Sequence, residues 1–174
     1  MSTAILAFLF FRVAHVLLAA VWLGATVFAT IVLMPALEDT GPAAGPVFAA
    51  LMRRKIHVFM ASLGGTTALT GVYLYWRLTG GFDPAISGTR AAMVFGAGGI
   101  AGIVAVIVGA AVLGRNAQKV ADLGARLGSI PEGPARTSAA ADMAAARRRA
   151  AIAGRIVIAL QTIALACMAV GHYV

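Results

Sequence analysis

Four stretches of this chain stay apolar for long enough to cross a lipid bilayer, and no other feature restricts the fold as strongly. A hydrocarbon core is about 30 Å thick and takes roughly 20 residues of helix to span. The first stretch runs from about Ala4 to Leu37, interrupted only by Arg12 and His15. The second lies between Ile56 and Trp76, the third between Ala91 and Leu113, and the fourth between Ala151 and Val174. Composition agrees with lipid as the solvent. Of 174 residues, 61% are hydrophobic and 11% charged, against roughly 25% charged in an average soluble protein. Backbone inside hydrocarbon must satisfy its own hydrogen bonds, which helices do. The expected fold is therefore all-α: one polytopic membrane four-helix bundle, with helices over about 4–37, 46–77, 88–128 and 138–173.

The breaks between spans have local causes. Glu38-Asp39-Thr40-Gly41-Pro42 stops the first helix, and Pro46 suits the first turn of the second. Thr79 to Pro84 and Ser129 to Pro134 both read as turns. Beyond Leu113, the residues Val120, Leu123 and Leu127 keep near-helical spacing among polar neighbours, so the third helix is expected to continue past the membrane. Thr137 or Ser138 can then cap a helix that runs through Arg147-Arg148-Arg149 into the fourth span. The two extensions would make a cytoplasmic helical hairpin. Met1 to Phe11 has no basic leader, so the first helix is expected to act as its own targeting element.

The net charge of +8 is distributed unevenly. One side of such a bundle would hold Arg53, Arg54, Lys55, Arg115, Lys119, Arg126, Arg136, Arg147, Arg148, Arg149 and Arg155. The other would hold only Arg12, Arg77 and Arg90. The positive-inside rule places the rich side in the cytoplasm, with both termini periplasmic in a bacterial inner membrane. Lipid headgroups then account for the basic charge. Nucleic acid is not expected as a partner, because features that stack on bases or read a groove are missing. Small residues at Gly98, Gly102, Ala105 and Gly109, and at Ala61, Gly64, Gly65 and Ala68, fit close helix contact. That contact is expected within the chain, with a homo-oligomer or a partner membrane subunit as the alternative. Trp22 and Gly24 read as structural, Gly24 admitting a neighbouring helix or a flat cofactor. Tyr73, Trp76 and Tyr173 read as an outer interfacial belt.

Ionisable groups inside a membrane are costly, so each of the 3 histidines is a functional candidate. His15 lies about 30 Å of helix before Pro35, and His172 about 25 Å after Arg155, so both fall near the outer face. Met168 and His172, four apart, share a helix face. With His15 they form a His/Met/His set suited to Cu(I), and His15 with His172 could serve a haem as axial ligands. His57 and Met60 lie three apart near the inner face, at a depth shared with Met34 and Met52, and would complete a copper relay. The plainer alternatives are methionine as core filler and histidine bonded at headgroup level. Cys167, the single cysteine, excludes an internal disulfide and is expected to pack on another face from Met168. All six acids, Glu38, Asp39, Asp83, Asp122, Glu132 and Asp142, fall outside the spans. No carboxylate pair sits within the spans, and no phosphate loop or nucleophile motif is present, so catalysis without a cofactor is not expected.

The segment His15-Val-Leu-Leu-Ala-Ala-Val-Trp22-Leu-Gly24 resembles the His-x6-Trp-x-Gly pattern that opens CopD-like (copper resistance protein D) membrane domains. Arg53-Arg54 and Leu69-Thr70-Gly71-Val72-Tyr73-Leu74 are similar to that family's second helix, and Met168-Ala-Val-Gly171-His172-Tyr173 to its ending. His172 stands where the family usually has Arg. The resemblance implies copper binding or transport at the inner membrane, with His15 as the foremost ligand. The first helix also resembles HemJ-type protoporphyrinogen oxidases, which implies a haem-b redox protein as the alternative; helix 3 here lacks the histidine that family carries. A third alternative is an accessory subunit of a membrane complex.

Overall fold

The computed structural model describes residues 2–174, the side chain of Pro42 apart. Every regular element among them is helical. Helix α1 spans Thr3–Asp39, α2 Ala44–Arg53, α3 Ile56–Leu78, α4 Arg90–Leu127 and α5 Pro134–Val170. A single turn, Pro84–Ser87, precedes α4; Asp83 caps it by accepting from the Ala85 amide at 2.9 Å.

The long helices α1, α3, α4 and α5 run antiparallel to their neighbours in a closed ring. Phe11 of α1 packs at a tilt against Tyr73 of α3, ring centroids 4.6 Å apart, while Trp22 lies against Gly64. Tyr75 of α3 meets Gly96 of α4, and Gly64 meets Val106. Phe95 of α4 covers Gly171, whereas Gly109 faces Val157 of α5. Arg12 reaches His172, and Thr30 touches Gly154, which closes α5 onto α1. The chain ends therefore share one end of the bundle with the turn between α3 and α4.

Each long helix supplies one residue to the buried centre: Trp22, Leu63, Ala105 and Val157. The indole fits because Gly64 has no side chain. A Cβ there would stand 2.9 Å from the ring. Around this centre the usual order of a water-soluble protein is reversed. Ala92, Ala101, Ala153, Thr26, Thr67 and Thr70 are inside, while Phe10, Leu69 and Ile100 face outward, Leu69 being 73% exposed. Large apolar side chains gain little by turning inward when the surroundings are hydrocarbon, so small residues take the helix contacts. Three helices, α1, α4 and α5, are each long and apolar enough to cross a membrane. The fourth long helix, α3, is not among them. Its glycines and threonines dilute its hydropathy, and several of them, Gly64, Thr67 and Thr70, are buried.

The structure departs from sequence expectation at several joints. Where the sequence suggests one helix over 46–77, there are two. The chain breaks at Arg54 and Lys55, and Lys55 takes a left-handed conformation (φ 55°), which costs roughly 1 kcal/mol for a residue with a Cβ. The Lys55 amide donates back to the Met52 carbonyl at 2.9 Å, closing α2. A break here lets three consecutive cations spread into solvent. Helix α5 starts at Pro134 rather than behind a Thr137 or Ser138 cap: proline is preorganised for a first helical position, and the Thr137 hydroxyl donates to the Gly133 carbonyl instead. Both α1 and α4 widen into π-helix, over Phe28–Leu33 and Gly109–Gly114. Each such bulge rotates the helix beyond it. In α4 this separates the small-residue face of the span from the amphipathic stretch Arg115–Leu127, which packs on α5 through Gly124 beside Met143 and Lys119 with Asp142 at 3.8 Å. Helix α2 packs on the same stretch.

Candidate functional site

His15 is the best-built polar side chain in the bundle. It lies half-buried on α1 and points into α3, where the sequence places Thr67, Thr70 and Gly71 on one face. Its Nδ1 donates to the Thr67 carbonyl at 2.9 Å and to the Thr70 hydroxyl at 3.1 Å. A carbonyl oxygen can only accept, so Nδ1 carries the proton and the neutral ring keeps its lone pair on Nε2. The Thr70 hydroxyl directs its own proton to the Thr66 and Thr67 carbonyls, at 2.8 and 2.9 Å, which leaves it an acceptor toward the ring. Gly71 makes room: a Cβ there would stand 2.9 Å from His15 Cε1. Nε2 has no hydrogen-bond partner among the described residues. An imidazole tied down at one nitrogen by a carbonyl and open at the other is the arrangement of metal-ligating histidines.

His172 is placed differently. It lies just past α5, its ring packed edge-on against Phe95 of α4 at 5.0 Å between centroids. Arg12 Nη2 donates to His172 Nε2 at 3.2 Å. A guanidinium has no acceptor, so the His172 lone pair is already engaged. Met168, one turn back, approaches Gly98 of α4, where its Cε would stand 3.2 Å from an added Cβ. Met168 and His172 thus both face the Phe95 to Gly98 edge of α4, as their spacing suggests. Cys167 also faces Gly98, its Cβ 2.7 Å from the same position, so it shares this contact rather than taking another face; its role is packing.

At the other end, Met60 packs against the buried centre beside Trp22 and Leu63, while His57 is exposed at the start of α3. Met34 and Met52 are half-buried. Among the described residues, no three side chains of the His, Cys, Asp and Glu types gather in one place.

Trp22 is structural, as its burial shows, but Gly24 faces open space instead of admitting a helix. In α4, Gly98 and Ala105 lie at contacts while Gly102 faces nothing within 4 Å. Sequence reasoning missed three polar partners: Thr67 and Thr70 for His15, and Arg12 for His172. The spacing Thr67-x-x-Thr70 on an otherwise apolar helix, and Arg12 three residues before His15, were the available signals. It also missed Gln161, buried on α5, whose amide donates to the Thr26 hydroxyl at 3.4 Å. Compared with known protein families, curated proteins and solved structures, this chain matches none.

Proposed function

We propose that this chain is an inner-membrane protein that takes copper at His15, in the way its CopD-like sequence features imply. One observation carries this reading: Nδ1 of His15 is committed to the Thr67 carbonyl, which leaves Nε2 oriented and unpartnered. Imidazole is a good ligand for copper, and the backbone bond fixes the orientation of the ring. In this scheme α3 makes a fourth crossing beside α1, α4 and α5. The end bearing Arg147, Arg148 and Arg149 is cytoplasmic, where α4 and α5 extend as a hairpin. The end bearing Arg12, Arg77 and Arg90 is periplasmic, with both chain termini, by the positive-inside rule. His15 then receives the ion on the outer side. No catalytic group is assigned.

The test is metal analysis of the purified protein after copper loading. Wild type retains copper, and His15→Ala loses it while keeping its helical circular dichroism. A wild-type preparation that stays free of copper after loading rules the proposal out.

A second reading is favoured by the solitary state of the His15 nitrogen. One imidazole suffices as the axial ligand of a b-type haem, whereas copper ordinarily takes more than one protein donor. Haem bound at His15 would give a Soret band that disappears in His15→Ala. Copper gives no such band.

A further inference from the structure

Three cations, Arg12, Arg77 and Arg90, stand at the end of the bundle that carries the chain termini. Two of them have a local account. Arg12 donates to His172, and Arg77 lies in the last turn of α3, where a cation complements the helix dipole. Arg90 has neither. It opens α4, where a positive charge works against the dipole, and the first turn holds no acid to offset it. Among the described residues, no carboxylate forms an ion pair with it.

What lies beside Arg90 is apolar. Met93, Val94 and Ala97 follow it at steps of three, four and seven, so all four residues share one face of α4. With Tyr173 and Val174 of the chain end they line an open groove of about 560 Å³. Phe95 packs on Gly171, and its ring lies 5.0 Å from that of His172, which holds the chain end against α4. Met93 is 54% and Tyr173 88% exposed, so the chain itself leaves the groove uncovered. From Arg90 to Ala97 the face runs about 10 Å along the helix axis, with a guanidinium at its outer end and only apolar side chains below.

Resting on the membrane reading above, though not on copper, we propose that this groove binds an anionic phospholipid, its phosphate on Arg90 and an acyl chain along Met93, Val94 and Ala97. Charge and polarity match along the whole length. A guanidinium pairs with phosphate oxygens in a two-pronged geometry, and the Tyr173 phenol is a donor suited to headgroup depth. A zwitterionic lipid offers the same phosphate but brings its own cation to Arg90, so a headgroup of net negative charge is preferred. Lipid seated here joins the start of α4 to the chain end.

The experiment places the full chain in phosphatidylcholine vesicles carrying a trace of photoreactive lipid with a diazirine on its acyl chain. The probe is either phosphatidylglycerol or phosphatidylcholine, and mass spectrometry locates the adducts after illumination. Adducts at Met93, Val94 and Ala97, scaled to those at the outward-facing Ile100, should be about fivefold more frequent with phosphatidylglycerol. Arg90→Gln should abolish that excess, while Arg90→Lys keeps most of it. Arg77→Gln, at the same end of the bundle, should leave it intact. Equal labelling by the two probes overturns the proposal, as does an excess that survives in Arg90→Gln or disappears in Arg77→Gln. If neither probe labels Ile100 or Leu69, the membrane reading itself fails.

Discussion

At the scale of single residues, two histidines are oriented by different partners. His15 and His172 are the same residue type at similar depth, yet their lone pairs have opposite fates. In His15 a backbone carbonyl and the Thr70 hydroxyl hold Nδ1, and Nε2 is left over. In His172 an arginine takes Nε2. Thr70→Val keeps the volume of the side chain and removes the acceptor, while the Thr67 carbonyl stays. On the proposed copper reading, affinity should fall by about tenfold, the low end for losing an outer-shell partner of a ligating histidine; chelator competition measures it. Equal affinity would mean that the hydroxyl does not help to orient the ring. The histidines themselves, and their proximity to the membrane, were legible in the sequence. Which nitrogen is free was not, because it depends on α3, some fifty positions further along the chain.

At the scale of elements, the helices are held by close approach at small residues more than by interlocking of large ones. Gly98 is the tightest case, with Cys167 Cβ at 2.7 Å and the Ala164 carbonyl at 3.2 Å from where a Cβ would be. Neither neighbour can move without moving α5. Gly98→Leu should separate α4 from α5 and destabilise the bundle by about 1–3 kcal/mol, the usual cost of overpacking. Thermal unfolding in detergent checks this, with Gly102→Leu as the control, since Gly102 faces open space. The stripe of small residues was visible in the sequence, but both positions fit the same pattern. The packing angle between helices decides which glycine is at the contact, and periodicity alone does not contain that angle. The same limit applies to the split between α2 and α3: apolar residues continue through it, and the break follows from a left-handed Lys55 that propensity does not favour.

At the scale of the whole molecule, all neighbouring long helices are antiparallel, so both chain ends emerge together and the basic run Arg147-Arg148-Arg149 lies toward the far end. Three of the helices are apolar enough to cross a membrane; the orientation is tested by labelling. In a Cys167→Ala background, which keeps the Cβ that packs at Gly98, a membrane-impermeant maleimide added to intact cells should modify Ser2→Cys and Val174→Cys. It should modify Arg148→Cys only after permeabilisation. The reverse pattern would put the His15 end in the cytoplasm, and chain ends on opposite sides would contradict the four crossings proposed above.

The amino-acid sequence alone was enough to determine the helical class and the presence of helices apolar enough to cross a membrane, because both follow from local, additive properties: run length, hydropathy and the scarcity of charge. It also supplied the asymmetry of basic residues and the candidate ligands. Only the tertiary structure decided that Thr67 and Thr70 serve His15, that Arg12 serves His172, and that Trp22 fills the space left by Gly64. These are pairings between residues far apart in the chain. They are set by the depth at which antiparallel helices come to rest against one another, and no single helix specifies that depth.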